Sequence, residues 1–215
     1  MKKETELFYT KDLCVGYNHK TVREIENLVV HTGKIIGIVG TSGIGKTTFL
    51  KTIAGLLPPV KGEIHYTFRC SPVLMHQQYT SFDWYRCLDN ILIVDDIRHN
   101  KITEERISAA REMLKLVGLE DYADAYPRQL SGGQKQRLSL ARVLYANPDL
   151  LLMDEPLSAL DERTREQMQD LILMRRQDSD QTIIMVTHSR EEAGKMCDLI
   201  IDFDRNEYYL HVEAT

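Results

Sequence analysis

Apolar positions along the chain follow two rhythms, short continuous runs and stripes spaced three or four apart, and the two alternate. Leu7 to Val15 is rich in β-formers; after the polar break Asn18-His19-Lys20 a second such stretch spans Ile25 to His31, and Thr32-Gly33 follows as a turn. This predicts an antiparallel start. Ile35-Ile36-Gly37-Ile38-Val39 is apolar throughout, as in strands covered on both faces of a parallel sheet, and Leu150-Leu151-Leu152-Met153 and Ile183-Ile184-Met185-Val186 repeat the pattern. Leu199 to Phe203 predicts one more strand. Helical stripes separate these runs, which is the signature of an α/β fold with crossover helices.

Residues 40–149 form a long excursion between the first two buried strands and carry helices of their own. The clearest begins near Thr103, places Glu104 and Glu105 in its first turn, and repeats apolar residues at Ile107, Ala110, Leu114 and Val117 before Gly118 stops it. Asp95 to Lys101 is polar and is expected to be a loop. No internal repeat, low-complexity tract or Pro/Gly-rich linker divides the sequence. The expectation is one domain over residues 1–215, with a helical subdomain of approximately 80–147 inserted.

Composition narrows the class. Of 215 residues, 43% are hydrophobic and 27% charged, ordinary usage for a globular protein. The 27 basic and 32 acidic side chains leave a net charge of −5, so no overall positive field gathers nucleic acid or anionic lipid. Cys14, Cys70, Cys87 and Cys197 lie too far apart for a CxxC pair or a zinc cluster and are expected to be reduced core residues. The start, Met1 to Glu6, has no apolar stretch behind its lysines, and no apolar run approaches the ~20 residues that span a bilayer. A cytosolic protein is expected, one that acts at a membrane only through another chain.

The chemistry begins at Gly40-Thr41-Ser42-Gly43-Ile44-Gly45-Lys46-Thr47, which fits G-x-x-x-x-G-K-[ST], directly follows the strand Ile35 to Val39, and opens a helix continuing through Thr48. Its glycines let the backbone wrap phosphate oxygens, so that successive N–H groups form an anion nest ahead of the positive helix end. Lys46 adds a point charge on the β/γ-phosphates and Thr47 offers a hydroxyl to Mg²⁺. Phe49, Leu50, Ile53, Ala54 and Leu57 form the apolar face of the helix, which Pro58-Pro59 is expected to end. The fold class is therefore an α/β P-loop NTPase core, with an N-terminal antiparallel β subdomain and an inserted α-helical subdomain.

Leu150 to Met153 delivers Asp154 and Glu155 to the carboxyl end of a strand, where open α/β sheets bind ligands. Neighbours on an extended chain point in opposite directions, so the two acids can differ in task. Asp154 is expected to hold Mg²⁺ and Glu155 to act as general base for the water that attacks the γ-phosphate.

Leu130-Ser131-Gly132-Gly133-Gln134-Lys135-Gln136-Arg137 precedes that strand by one helix, and Pro148 ends the helix. Taken with the phosphate loop, Leu150 to Glu155, Ser158-Ala159-Leu160-Asp161 and Thr187-His188, this LSGGQ-type run resembles the ATP-binding-cassette ATPases over about Leu7 to Phe203. Physically, Ser131 is a good N-cap, Gly132 and Gly133 expose backbone N–H groups, and Leu138, Ala141 and Leu144 give the helix an apolar stripe.

The resemblance implies that Ser131, Gly132, Gly133 and Gln134 close over ATP held by Lys46 of another copy, in an isologous dimer or pseudo-dimer of cassettes. Gln77 matches the loop glutamine that touches Mg²⁺ and the attacking water, with neighbouring Gln78 the alternative; Ser81 and Asp83 stand where the family has Leu and Pro. His188 matches the histidine that bonds the γ-phosphate, and Tyr17 the aromatic that stacks on adenine. Trp84 is either part of the family's run or a plain core aromatic. Asp161 is either the dimer-facing aspartate or the N-cap of the helix carrying Met168, Leu171 and Ile172. ATP and Mg²⁺ are the implied cofactors. The implied function is that of the ATP-hydrolysing subunit of a bacterial transporter, peripheral at the cytoplasmic face, with separate permease subunits, a solute-binding protein among its partners, and no nucleic acid. The resemblance leans toward importers of nitrate, sulfonate or taurine; an exporter ATPase, a soluble relative acting on ribosomes or DNA, and a P-loop kinase or GTPase are the rivals.

Overall fold

The computed structural model describes residues 5–210 except 26, 69, 79, 180 and 206. Its internal contacts group into two units, one of Met1–Leu74, Pro148–Glu155 and Arg176–Thr215, the other of Met75–Asn147 and Pro156–Arg175.

The first unit holds two sheets. Strand β1 (Glu6–Tyr17) is long enough to pair antiparallel with three partners, β2 (Lys20–Ile25), β3 (Val29–His31) and β5 (Lys61–Tyr66). The stretch expected as one strand over Ile25 to His31 is thus split: β2 ends at Ile25, and β3 returns to the other end of β1. Thr10 Oγ1 accepts the Leu28 N–H at 3.0 Å inside that break.

The second sheet runs in the order β10-β9-β4-β8-β7-β6. Strands β4 (Ile35–Val39), β7 (Leu150–Asp154) and β8 (Thr182–Val186) are buried at every position, as continuous apolar runs require when both faces of a parallel sheet are covered. Strand β4 pairs parallel with β8 and β9 (Leu199–Asp202), and β8 pairs parallel with β7. Strand β10 (Glu207–Leu210) runs antiparallel to β9, and β6 (Val73–Met75) ends the order beyond β7. Helix α1 (Lys46–Ile53) packs Phe49, Leu50 and Ile53 into one core with Leu13, Val15, Ile36, Ile38, Leu152, Ile184 and Phe203. It stops earlier than Pro58-Pro59 would make it. Ala54 is the last cap and Gly55 takes a φ of 72°, so a left-handed glycine and not a proline ends it.

The second unit packs α2 (Cys87–Ile97), α3 (Glu104–Leu116) and α4 (Gly132–Ala146). Helix α5 (Glu162–Asp178) follows, with Met168, Leu171 and Ile172 buried. The polar stretch at Asp95 is not all loop: α2 continues to Ile97, and Asp95 is 2% exposed. Three partners account for its burial. Arg106 on α3 forms an ion pair with it, the Tyr145 hydroxyl on α4 donates to it, and Asn100 Nδ2 donates at 3.2 Å. One carboxylate therefore ties all three helices, which a polar pattern alone reads as solvent-facing. Trp84, 71% exposed, is not a core residue. Cys14, Cys87 and Cys197 are buried free thiols and Cys70 is half-buried.

Removing Asp95 takes the acceptor from the Arg106 guanidinium and the Tyr145 phenol at once, so Asp95→Ala should cost about 2–4 kcal/mol in urea unfolding. Burial and then the Asp95 carboxylate push the Tyr145 phenol up from 10.0 to about 12. Its contribution to stability is complete below pH 10 and lost as pH rises toward 12. Tyr145→Phe should remove that alkaline component from a pH series of unfolding curves.

Candidate nucleotide site

Parallel pairing explains why the candidate residues of the first unit meet. Strands that run side by side in the same direction end side by side. Asp154 on β7 pairs with Val186 on β8, and Ile38 on β4 pairs with the same Val186. The chain continuing from each strand then carries the phosphate loop, Asp154-Glu155, and Thr187-His188, all at the carboxyl ends. Backbone bonds fix the exits: Thr187 N–H donates to Ile38 O at 3.1 Å, and Glu155 N–H to Val186 O at 3.0 Å.

Gly40, Gly43 and Gly45 take φ values of 150°, 82° and 106°. A Cβ on Gly45 would lie 3.1 Å from Arg23 Cβ and 3.2 Å from Val22 Cγ1, so both conformation and space demand glycine there. A Cβ on Gly43 would meet nothing within 4 Å, and Thr41, Ser42 and Gly43 face solvent. Helix α1 begins at this loop with no side-chain cap and no acid in its first turn, an end whose dipole favours an anion.

The Lys46 ammonium bridges the loop, donating to Gly40 O at 2.7 Å and Thr41 O at 2.8 Å. Burial lowers its pKa, and Glu155, Asp204 and Asp154 oppose that shift. Thr48 Oγ1 donates to the Tyr17 hydroxyl at 3.3 Å, and Tyr17 itself is 44% exposed at the end of β1. That bond sets an open aromatic ring beside the loop helix.

Asp154 is buried, whereas Glu155 adopts a φ of 50°, a left-handed conformation uncommon for a residue with a Cβ. The turn of the backbone at that point brings Glu155 Oε1 into close contact with His188 Nε2. Around His188 the chain is pinned on both sides. Thr187 Oγ1 donates to Glu192, and Ser189 accepts the Glu192 N–H at 3.1 Å as N-cap of α6 (Arg190–Met196). The hydroxyl of Thr47 and the carboxylate of Asp154 are both hard oxygen donors, a set that fits Mg²⁺. Two such donors leave most of the coordination to phosphate and water, the usual arrangement for this ion. Among the described residues no group of three or more His, Cys, Asp or Glu could hold a metal by itself.

The second unit carries the other candidates. Gln77 and Gln78 follow β6 and are exposed. Ser131 caps α4: its hydroxyl accepts the Gln134 N–H at 3.3 Å, and Gln134 Oε1 accepts the Ser131 N–H at 2.8 Å. This reciprocal box gives Gln134 a task within its own chain. Gly133 likewise has a packing reason, since a Cβ there would sit 3.3 Å from Ala159 O. Asp161 caps α5, with Oδ1 accepting the Thr164 N–H at 3.0 Å and Oδ2 the Thr164 hydroxyl at 2.8 Å. Those bonds hold its carboxyl below the usual range.

A family model described as ABC transporter matches residues 25–158. The chain belongs to the ABC transporter ATPase family. It is 40% identical over 189 residues to the aliphatic sulfonates import ATP-binding protein SsuB 1 of Paracoccus denitrificans, covering 88% of this chain and 76% of that one. It is 38% identical over 187 residues to the taurine import ATP-binding protein TauB of Escherichia coli O157:H7, covering 84% and 73%. Among solved structures, the dimeric structure of MJ0796, a bacterial ABC transporter cassette, superposes with a TM-score of 0.85 at 27% identity, covering 96% of this chain and 99% of that one. A post-hydrolysis state of the same cassette, bound to ADP and Pi, gives 0.81. The α/β fold and the ATPase class expected from the motifs are those of this family. Among the described residues no helix is long and apolar enough to cross a membrane.

Sequence reasoning missed Glu192 and Asp204. Ser189-x-x-Glu192 is a capping pattern legible in the sequence; Asp204 carries no local signal, because its partner lies at Thr41. Gly45→Ala should lower ATP affinity roughly ten-fold or more, because the loop cannot keep its φ with a Cβ present. Fluorescent ATP-analogue titration measures the loss.

Proposed function

We propose that residues 1–215 form one ABC ATPase domain that couples ATP hydrolysis to import of a small solute through separate membrane subunits. The observation that carries this reading is the pairing of Glu155 with His188 at adjoining strand ends beside the phosphate loop. The names of the sulfonate and taurine relatives support import, and the dimeric cassette supports a pair of such domains as the working unit.

In this reading the N–H groups from Gly40 to Thr48 and the Lys46 ammonium bind the β- and γ-phosphates, and Tyr17 stacks on adenine. Thr47 and Asp154 would hold Mg²⁺, which when bound neutralises phosphate charge, and Gln77 keeps the role that the family resemblance implies for it. Glu155 takes a proton from water as that water attacks the γ-phosphate, and His188 orients both the carboxylate and the γ-phosphate. Ser131, Gly132, Gly133 and Gln134 of a second copy close over the triphosphate, so each nucleotide joins two chains and the dimer is isologous. Release of phosphate removes that bridge and lets the pair open. In the same reading the permease subunits and a solute-binding protein supply the pathway and its selectivity, and the domain works at the cytoplasmic face of the membrane.

Glu155→Gln keeps the shape of the side chain and removes the base, so turnover should fall by about 10²–10⁴ while ATP binding persists. With ATP and Mg²⁺ the same variant should pass from monomer to dimer in light scattering after gel filtration. Normal hydrolysis overturns the role of Glu155; a variant that binds ATP and stays monomeric, alone and with its membrane partners, overturns the shared-nucleotide reading.

A further inference from the structure

We propose that Asp204 is a positioning residue that holds the rim of the phosphate loop through Thr41. The turn after β9 reaches the loop because Gly40 leaves room for it. A Cβ on Gly40 would lie 3.2 Å from Phe203 Cβ and 3.5 Å from Asp204 N, while the Phe203 N–H donates to Val39 O at 2.9 Å just before the loop begins. Asp204 then turns its carboxylate onto Thr41. Oδ1 accepts the Thr41 N–H at 2.9 Å and the Thr41 hydroxyl also at 2.9 Å, and Oδ2 stands 3.1 Å from the same N–H. These bonds fix both the backbone and the side chain of the second residue of the loop.

The turn is anchored in its own right. Asp202, fully buried, accepts the N–H groups of Asp204 at 2.9 Å and Arg205 at 3.3 Å. Arg190, two residues beyond His188, reaches Asp202 at 2.8 Å and Asp204 at 3.8 Å. Thr41 is thereby connected through Asp204 and Arg190 to the start of the helix that follows the histidine, within one unit. Bonds from Thr41 hold the Asp204 carboxyl below the usual range, as a carboxylate that must remain an acceptor requires. A loop fixed before ligand arrives loses less conformational freedom on binding, so Asp204 contributes to affinity without touching phosphate.

The inference rests on the reading of the loop as an ATP site, and its test separates the two. ATP titration and steady-state hydrolysis are compared for the full chain, Asp204→Ala and Asp204→Asn. Asp204→Ala should raise KM and Kd for ATP roughly ten-fold with kcat changed less than about two-fold and the melting temperature unmoved. Because one oxygen takes both Thr41 donors, Asp204→Asn should restore ATP affinity to within about two-fold of the unsubstituted protein. Should Asp204→Ala fold poorly, Thr41→Val removes one of the same bonds and should raise KM roughly three-fold. Unchanged affinity in these variants overturns the role of Asp204, and so does tighter binding in both Asp204 variants, which would mean that the carboxylate chiefly repels phosphate. Failure of the unsubstituted protein to bind ATP overturns the nucleotide reading and this inference together.

Discussion

Parallel pairing of β4, β8 and β7 is the constraint from which the site follows. Each strand is apolar at nearly every position and buried on both faces, so its register is held by packing as well as by backbone bonds. Since the three strands point the same way, the loop after each emerges at one edge. A glycine loop, two acids and a histidine far apart in the chain thereby become neighbours. The apolar core beneath them holds the strands, and the residues above it are left available for chemistry.

One strained residue stands where that edge turns. Glu155 occupies a left-handed conformation and is held by its N–H bond to Val186 O and by His188. A residue with a Cβ enters that region at a cost of order 1–3 kcal/mol, which the surrounding sheet must offset. The backbone turn is what separates the tasks of the two acids. Asp154 completes a strand and is buried; its neighbour leaves the sheet and meets the imidazole.

The signature segment shows two demands met by the same residues. Ser131 and Gln134 cap their own helix, and Gly133 allows the 157–160 loop to approach. Gln136, 1% exposed, accepts the Ala159 N–H at 2.9 Å and secures that approach. Local folding therefore already constrains Ser131, Gly133 and Gln134, independently of any contact with nucleotide across a dimer. In the same unit, the Asp95 cluster ties three helices into a support for them.

Patterns of near neighbours made most of the architecture legible. Continuous apolar runs marked β4, β7 and β8, Thr103 and its two glutamates marked the start of α3, and the glycine loop with its lysine marked the candidate phosphate site. Each depends on residues a few positions apart, whose geometry the backbone fixes. The split of Ile25 to His31 between two strands and the burial of Asp95 depend on partners elsewhere in the chain, which a linear pattern does not contain. The same holds for the contact of Glu155 with His188 and of Asp204 with Thr41. Sequence by itself determined which residues have the chemistry of a triphosphate site and which strands carry them; the tertiary structure alone decided which of them touch, because strand register and loop approach are set by packing between segments far apart in the chain.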